Sequence, residues 1–379
     1  MLSNINFPIF ILISIFRLWT KYRPLFDVLQ KYINMYVHLF PHVKISIGEK
    51  RSIIIDFKKE RYFFVPNSLS NLFKSNYYII EELKLLRDED QIIVQDYFDF
   101  LISNHLAYSS TIANDYYKNN SFIIPYFIEN AIIDFSVKSN YSLPEVIAKI
   151  DSVMCPALQI RLFSKFNFQF IADLIKITAE TSFSFIEIVT ESNYSVDEFL
   201  KIIRLLKNDR RFTIIFYNST KNKLIENAKF TTTFLIDEKS CGKINSDKFY
   251  LSSKLFYLSK IHNSCLYKKI SVDQNGEIKN CPSMKESFGN VKDTTFESAF
   301  GCDGFRKYWN ITKDKISICK DCEFRQICTD CRAYTQSPDE ILSKPLKCGY
   351  NPYTNVWEDW STNPMSEKGI EYYKFENLT

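Results

Sequence analysis

Glycine is scarce in this 379-residue chain: there are eight, and none lies between Gly48 and Gly242. Loops that cradle phosphate need glycine so that backbone N–H groups can approach the anion. The long middle stretch therefore holds no P-loop and no GxGxxG turn, which excludes nucleotide binding by those devices. Histidine is rarer still, with four residues, and His38, His42 and His105 all precede the middle region. No Ser/His/Asp set or pair of catalytic carboxylates stands out, so the catalytic residues are unknown from sequence. A strong charge of one sign is also missing: 48 basic and 44 acidic side chains leave a net charge of +4. A field that weak argues against nucleic acid as a partner.

No long apolar run is present either. The N-terminal "FPIFILISIF", Phe7 to Phe16, is too short to span a bilayer. Arg17, Lys21 and Arg23 follow it where a signal peptide would carry charge in front. Residues 1–35 thus read as an N-terminal extension, either sequence ahead of the true start at Met35 or a loosely held appendage. Stable membrane insertion is not expected, and the chain reads as cytoplasmic. In that reducing compartment its ten cysteines should be ligands or buried thiols, not bridges.

What is present begins with "RSIIIDFKKERYFFV" (51–65), two β-branched and aromatic runs around "KKE", the signature of a hairpin. Helical stretches follow, the last carrying Ile93, Tyr97, Phe100 and Leu101 at helical spacing. Strands followed by helices make residues 36–115 a small winged-helix-like α+β domain. From about residue 128 strands and helices alternate: "NAIIDF", "LPEVIAKID", "ALQIRLF", "FIADLIKITAE", "FIEIV", "VDEFLKIIRLL", "FTIIFYN" and, as the next strand-forming run, "TTTFLID" (231–237). That rhythm implies an α/β fold with a parallel sheet. Residues 125–250 are too few for a complete (β/α) barrel, which takes about 250 residues, so a partial barrel is expected. Function in such sheets gathers after the strands, where Glu191, Asn193 and Asn218 are the polar candidates. Residues of these types are most often turn formers or helix caps.

Cysteine usage changes sharply after residue 240. Cys155 is alone upstream, whereas nine cysteines fall between Cys241 and Cys348. Cys265 and Cys281 are spaced C-x10-G-x4-C around Gly276, a glycine that permits a tight turn bringing the two together. Cys319, Cys322, Cys328 and Cys331 form C-x2-C-x5-C-x2-C, and Cys348 stands last. Zinc ribbons separate their CxxC pairs by about 15–20 residues. The shorter gap here is nearer the crowded spacings of iron–sulfur proteins, and zinc remains the alternative.

This pattern, with "FGNVKDTTFESAF" before it and "SKPLKCGYNPYTNVWEDW" around its end, resembles the SPASM domain, and specifically the SPASM-domain peptide maturase of grasp-with-spasm systems. The resemblance covers roughly residues 255–360. It implies a SPASM iron–sulfur domain at 251–360, a C-terminal tail at 361–379, and a radical-SAM-like type for the partial barrel. Two 4Fe–4S clusters are implied, one on Cys319, Cys322, Cys328 and Cys348, the other on Cys265, Cys281 and Cys331. The second lacks the further cysteine many such domains carry just before the first, since "FYLSKIHNSC" stands there. Its fourth position would be open, taken by water, or filled by His262; Cys241 and Cys302 rank lower. The expected partners are a ribosomal precursor peptide and an ATP-grasp ligase. The SAM-cleaving CxxxCxxC motif is missing: the matching loop reads "SVKSNYS", and Cys155 alone cannot replace three thiolates. SAM-dependent catalysis is therefore not expected. The readings from other classes are a zinc-stapled structural adaptor and a redox enzyme acting through the clusters.

Overall fold

The computed structural model describes residues 35–73, 77–113, 124–207, 209–235 and 237–375. The apolar run at 7–16 and most of the N-terminal extension lie outside them. The described residues fall into two compact units, one drawn from 35–44 and 68–113, the other from 45–67 and 124–375. Its first elements are β1 (Tyr36–Leu39), β2 (Val43–Ile47), β3 (Ser52–Asp56), β4 (Arg61–Val65), α1 (Asn67–Leu72), β5 (Tyr77–Ile79), α2 (Asp88–Ser103) and β6 (Ala107–Ser110).

In the smaller unit β1 is the central strand, antiparallel to β5 on one side and β6 on the other. Helix α2 buries Val94, Phe98 and Leu101, a stripe at i, i+4 and i+7 that the helical period dictates. Phe98 lies against Tyr78 and Phe73. The hairpin of the larger unit is β3–β4, paired from Ser52↔Val65 to Asp56↔Arg61. Asp56 closes its turn, accepting from the Lys59 amide and pairing with Arg61 at 3.2 Å.

The body of the larger unit is built on β7 (Asn130–Phe135), α3 (Leu143–Ser152), β8 (Ala157–Leu162), α4 (Phe168–Ala179), β9 (Phe185–Glu191), α5 (Val196–Lys207) and β10 (Phe212–Tyr217). β11 (Lys223–Ile225), β12 (Ala228–Phe230), α6 (Ser253–Ile261), β13 (Lys269–Val272) and β14 (Ile278–Lys279) follow. The eight-stranded sheet has the order β11-β12-β10-β9-β8-β7-β13-β14, and β7 to β10 run parallel to their neighbours. The fold is α/β with a mostly parallel sheet. Each crossover helix begins on a side-chain cap. Ser142 accepts from the Glu145 amide, Asn167 from the Phe170 amide, and Ser195 and Glu198 bond each other's amides in a capping box.

The pleat then sorts the strand residues onto two faces. Ala131, Ile133, Leu158, Ile160, Ile186, Ile188, Ile214 and Phe216 share one core with Val146, Ile150, Ile171, Leu174 and Ile202 of the helices. Burying each of these Val, Leu, Ile and Phe side chains stabilises the fold by about 1.5–3 kcal/mol. The opposite face is polar. Arg161 donates to both carboxylate oxygens of Asp134 at 2.6 Å, Gln159 donates to Glu187, and Lys279 pairs with Asp273 at 2.7 Å.

One expected strand is absent from its place. The run "TTTFLID" forms no strand over 231–235; the strand next to β10 is Ala228–Phe230, which ends just before it. The threonines instead turn back on the end of β10: the Thr231 amide donates to the Phe216 carbonyl and the Asn218 amide to the Thr233 carbonyl. Among the described residues no helix is long and apolar enough to cross a membrane.

Candidate metal centre

Cys328, Cys319 and Cys348 lie within electrostatic range of the buried Lys313, and Cys322 within range of Cys319 and Cys328. Cys319 opens a short 3-10 turn, and the Cys322 amide donates to its carbonyl. Cys322, Cys328 and Cys348 pack with Phe324, Ile327 and Tyr350, while Cys319 lies against Ile311 and Ile316. Lys313 Nζ donates to Cys328 Sγ at 3.3 Å, and the side chain is only 4% exposed. Burial would strip that ammonium of its proton, but Cys328, Cys319, Asp330 and Cys348 together raise its pKa instead. Burial pushes Cys319 up to about 12 and raises Cys328, in both cases against the pull of Lys313, and it raises Cys322 as well.

A cover lies over this set. The Glu49 amide donates to the Asp321 carbonyl at 2.8 Å, and Arg51 pairs with the buried Glu323 at 2.8 Å. Tyr350 Oη also donates to Glu323, at 2.5 Å. A Cβ at Gly48 would stand 2.7 Å from the Glu323 nitrogen, so only glycine allows the approach. The β3–β4 hairpin thus belongs with the cysteine loop 272 residues further on.

The second set forms where β13 and β14 turn back on each other. Gly276 takes φ +84 in the turn between them, and the pairing Ser271↔Lys279 and Val272↔Ile278 brings the flanking Cys265 and Cys281 to one end. Asn263 fixes that end: its Oδ1 accepts from the Cys265 and Leu266 amides, and its Nδ2 donates to Asp330 at 2.6 Å. Asp330, held also by Arg332 at 2.8 Å, precedes Cys331 and links the two sets. Here too a lysine faces sulfur, with the half-buried Lys269 placing its Nζ 3.3 Å from Cys265 Sγ. Burial pushes Cys281 up to about 11 and Cys331 to about 12, and Cys331 lies within electrostatic range of Cys265, Cys241 and Cys281.

Both sets are all-thiol, the soft donor chemistry that suits iron–sulfur clusters and zinc. Among the described residues no three His, Cys, Asp or Glu side chains converge closely enough to chelate a single ion. Cys155 is apart from both, buried in the sheet core with its thiol on the Ala157 carbonyl. His262 bonds Asn310 at 2.9 Å and stacks on Tyr267 with ring centroids 3.5 Å apart. Glu191 accepts from Asn218 Nδ2, and its carbonyl takes the Asn193 amide, so these three close a turn on themselves. Lys269 and Lys313 escaped the sequence reading, because nothing in their spacing marks a lysine as facing sulfur.

No family model matches the chain, and no curated protein does. Among solved structures, two crystal structures of SuiB from Streptococcus suis, one bound to S-adenosylmethionine, are 10% and 11% identical to it, each covering 78% of this chain and 96% of SuiB. Their TM-score is 0.27, and a likeness at that level carries no argument about fold or chemistry.

Proposed function

We propose that the protein matures a ribosomally synthesised peptide together with an ATP-grasp ligase. In this reading it binds the precursor and carries two 4Fe–4S clusters without a SAM-cleaving cluster of its own. The observation that carries the cluster reading is the pair of buried to half-buried all-thiol sets, each with a lysine ammonium 3.3 Å from one sulfur. The cysteine spacing and its flanking text support the SPASM assignment, and the consecutive parallel order β7-β8-β9-β10 suits a partial barrel. Cys319, Cys322, Cys328 and Cys348 would hold one cluster, with Cys265, Cys281 and Cys331 on the other. Bound clusters would supply electron transfer or anchorage for a peptide. The chain's own lysines hold positive charge at the sulfurs, and the apolar packing around Cys322 and Cys328 excludes water.

Anaerobic reconstitution followed by iron, sulfide and zinc analysis tests this. About eight irons with matching sulfide per chain are expected. Zinc without sulfide would instead favour the structural adaptor.

Precursor binding is proposed for residues 36–115, read as a winged-helix-like recognition domain, with a leader segment adding as an extra strand at the β6 edge. The Phe40 amide donates to the Leu106 carbonyl, so by antiparallel alternation Tyr108 bonds β1 and the Ser109 amide points away from it. Ser109→Pro removes that outward donor and leaves the β1 ladder intact. Losing one main-chain hydrogen bond of about 1 kcal/mol should weaken leader binding about fivefold. Calorimetry with the leader peptide reads this, and unchanged affinity would move the leader to another surface.

A further inference from the structure

We propose that Cys241 is the fourth thiol of the centre formed by Cys265, Cys281 and Cys331, delivered by the turn at Glu238–Gly242 instead of by a cysteine beside Cys265. The inference deepens the cluster reading and rests on it for the identity of the metal, not for the grouping of the thiols.

The turn is pinned beside Cys331 and the segment after Cys281. Asp237 accepts from the Lys239 amide at 2.8 Å, and the Cys241 amide closes on the Glu238 carbonyl. Lys347 Nζ donates to the Cys241 carbonyl at 2.9 Å and also to that of Lys239. Ser283, two residues after Cys281, donates to the Glu238 carbonyl at 3.1 Å. The Ile244 amide then bonds the Lys347 carbonyl, beside Cys348. Gly242 presses directly on the neighbouring thiol: a Cβ there would meet Cys331 Sγ at 3.2 Å and the Tyr334 ring at 3.4 Å. Its φ of +85 also belongs to glycine. The Cys-Gly pair is therefore read as one device, the glycine permitting close approach and the cysteine supplying the donor.

The other candidates are spoken for. His262 is stacked and hydrogen-bonded elsewhere, and Cys302 is exposed with its thiol on the Ser298 carbonyl. Cys241 is the exposed member of its set, beside the half-buried Cys265 and Cys331 and the buried Cys281. A ligand arriving from the solvent side completes a set whose other members come from within. Four protein thiolates leave no open position at this centre, so it does not chelate a peptide directly. Its role narrows to moving electrons or bracing the fold.

The test compares the full-length protein with Cys241→Ser and Cys302→Ser after identical anaerobic reconstitution. Iron, sulfide and zinc are counted, and EPR is recorded for the reduced proteins and after brief exposure to air. Cys241→Ser is expected to lose up to half the iron and sulfide, or to keep it in a form that yields a three-iron signal in air; Cys302→Ser should match the parent. Cys281→Ser should reproduce the Cys241→Ser signal. Circular dichroism of the metal-free proteins shows whether each variant folds. Equal counts and spectra in Cys241→Ser and the parent overturn the proposal. A parent that holds zinc, half of it lost in Cys241→Ser, keeps the four-thiol centre and overturns the iron–sulfur reading alone. A folded parent that takes up no metal overturns both.

Discussion

Arg161→Met is expected to lower the unfolding free energy by about 3–5 kcal/mol, the usual cost of leaving a buried charge without its partner. Asp134 and Arg161 face each other in register across β7 and β8, 1% and 8% exposed. Burial pushes Asp134 up to about 6 against the pull of the guanidinium. An unfolded aspartate titrates near about 3.9, so the folded state holds the proton more tightly. The stability this contributes is present at acid pH and is lost as pH rises from about 4 to about 6. Removing Arg161 removes the groups that hold the folded pKa down, so the loss continues to higher pH. The penalty in Arg161→Met should therefore be smaller at pH 5 than at pH 8. The double variant Asp134→Leu/Arg161→Met should regain most of it, because neither charge remains. Urea unfolding followed by circular dichroism at both pH values checks this. A double variant no better than the single one would show that the loss comes from packing around residue 161, not from the orphaned carboxylate.

How much of this was legible depended on how far each constraint reaches along the chain. The β7–β10 strands and their helices announce themselves because apolar residues recur at the period of their own element, and Ser142, Asn167 and Ser195 cap within three residues. The "KKE" hairpin was legible as a hairpin. Its address was not, since Arg51 finds Glu323 through a separation of 272 residues and no local pattern encodes that pairing. "TTTFLID" misled because β-branched residues favour strands wherever they fall, whereas here the threonine amides and hydroxyls close a turn. The thiol groups were partly legible. CxxC spacing pairs ligands locally, and Gly276 marks the turn that joins Cys265 to Cys281. Cys241 has no such spacing, for its place is set by Lys347 from 106 residues away.

The lysines lead to the second large expected effect. On the proposed cluster reading, Lys313→Met should lower the reduction potential of a centre held by Cys319, Cys322, Cys328 and Cys348 by about 100–200 mV, with the iron count unchanged. The ammonium is buried 3.3 Å from Cys328 Sγ, and its charge also acts on Cys319 and Cys348. A unit charge about 4 Å away at an effective dielectric near 20 is worth about 4 kcal/mol. For one electron, about 1.4 kcal/mol corresponds to about 59 mV, which sets the upper end of the range. Adding an electron to a thiolate-bound cluster adds negative charge, so a nearby cation favours the reduced form and its removal disfavours it. Methionine matches the length of lysine without the charge, which keeps the packing around the thiols. Lys269→Met, whose lysine faces Cys265 in the other set, should move the other potential and leave this one in place. EPR-monitored redox titration of both variants resolves the two centres. If neither potential moves, the lysines only neutralise the buried thiols and have no part in redox tuning. Two shifts, each confined to its own centre, would establish that the fold sets one lysine beside each proposed cluster to hold the potentials apart from those of the bare thiolate sets.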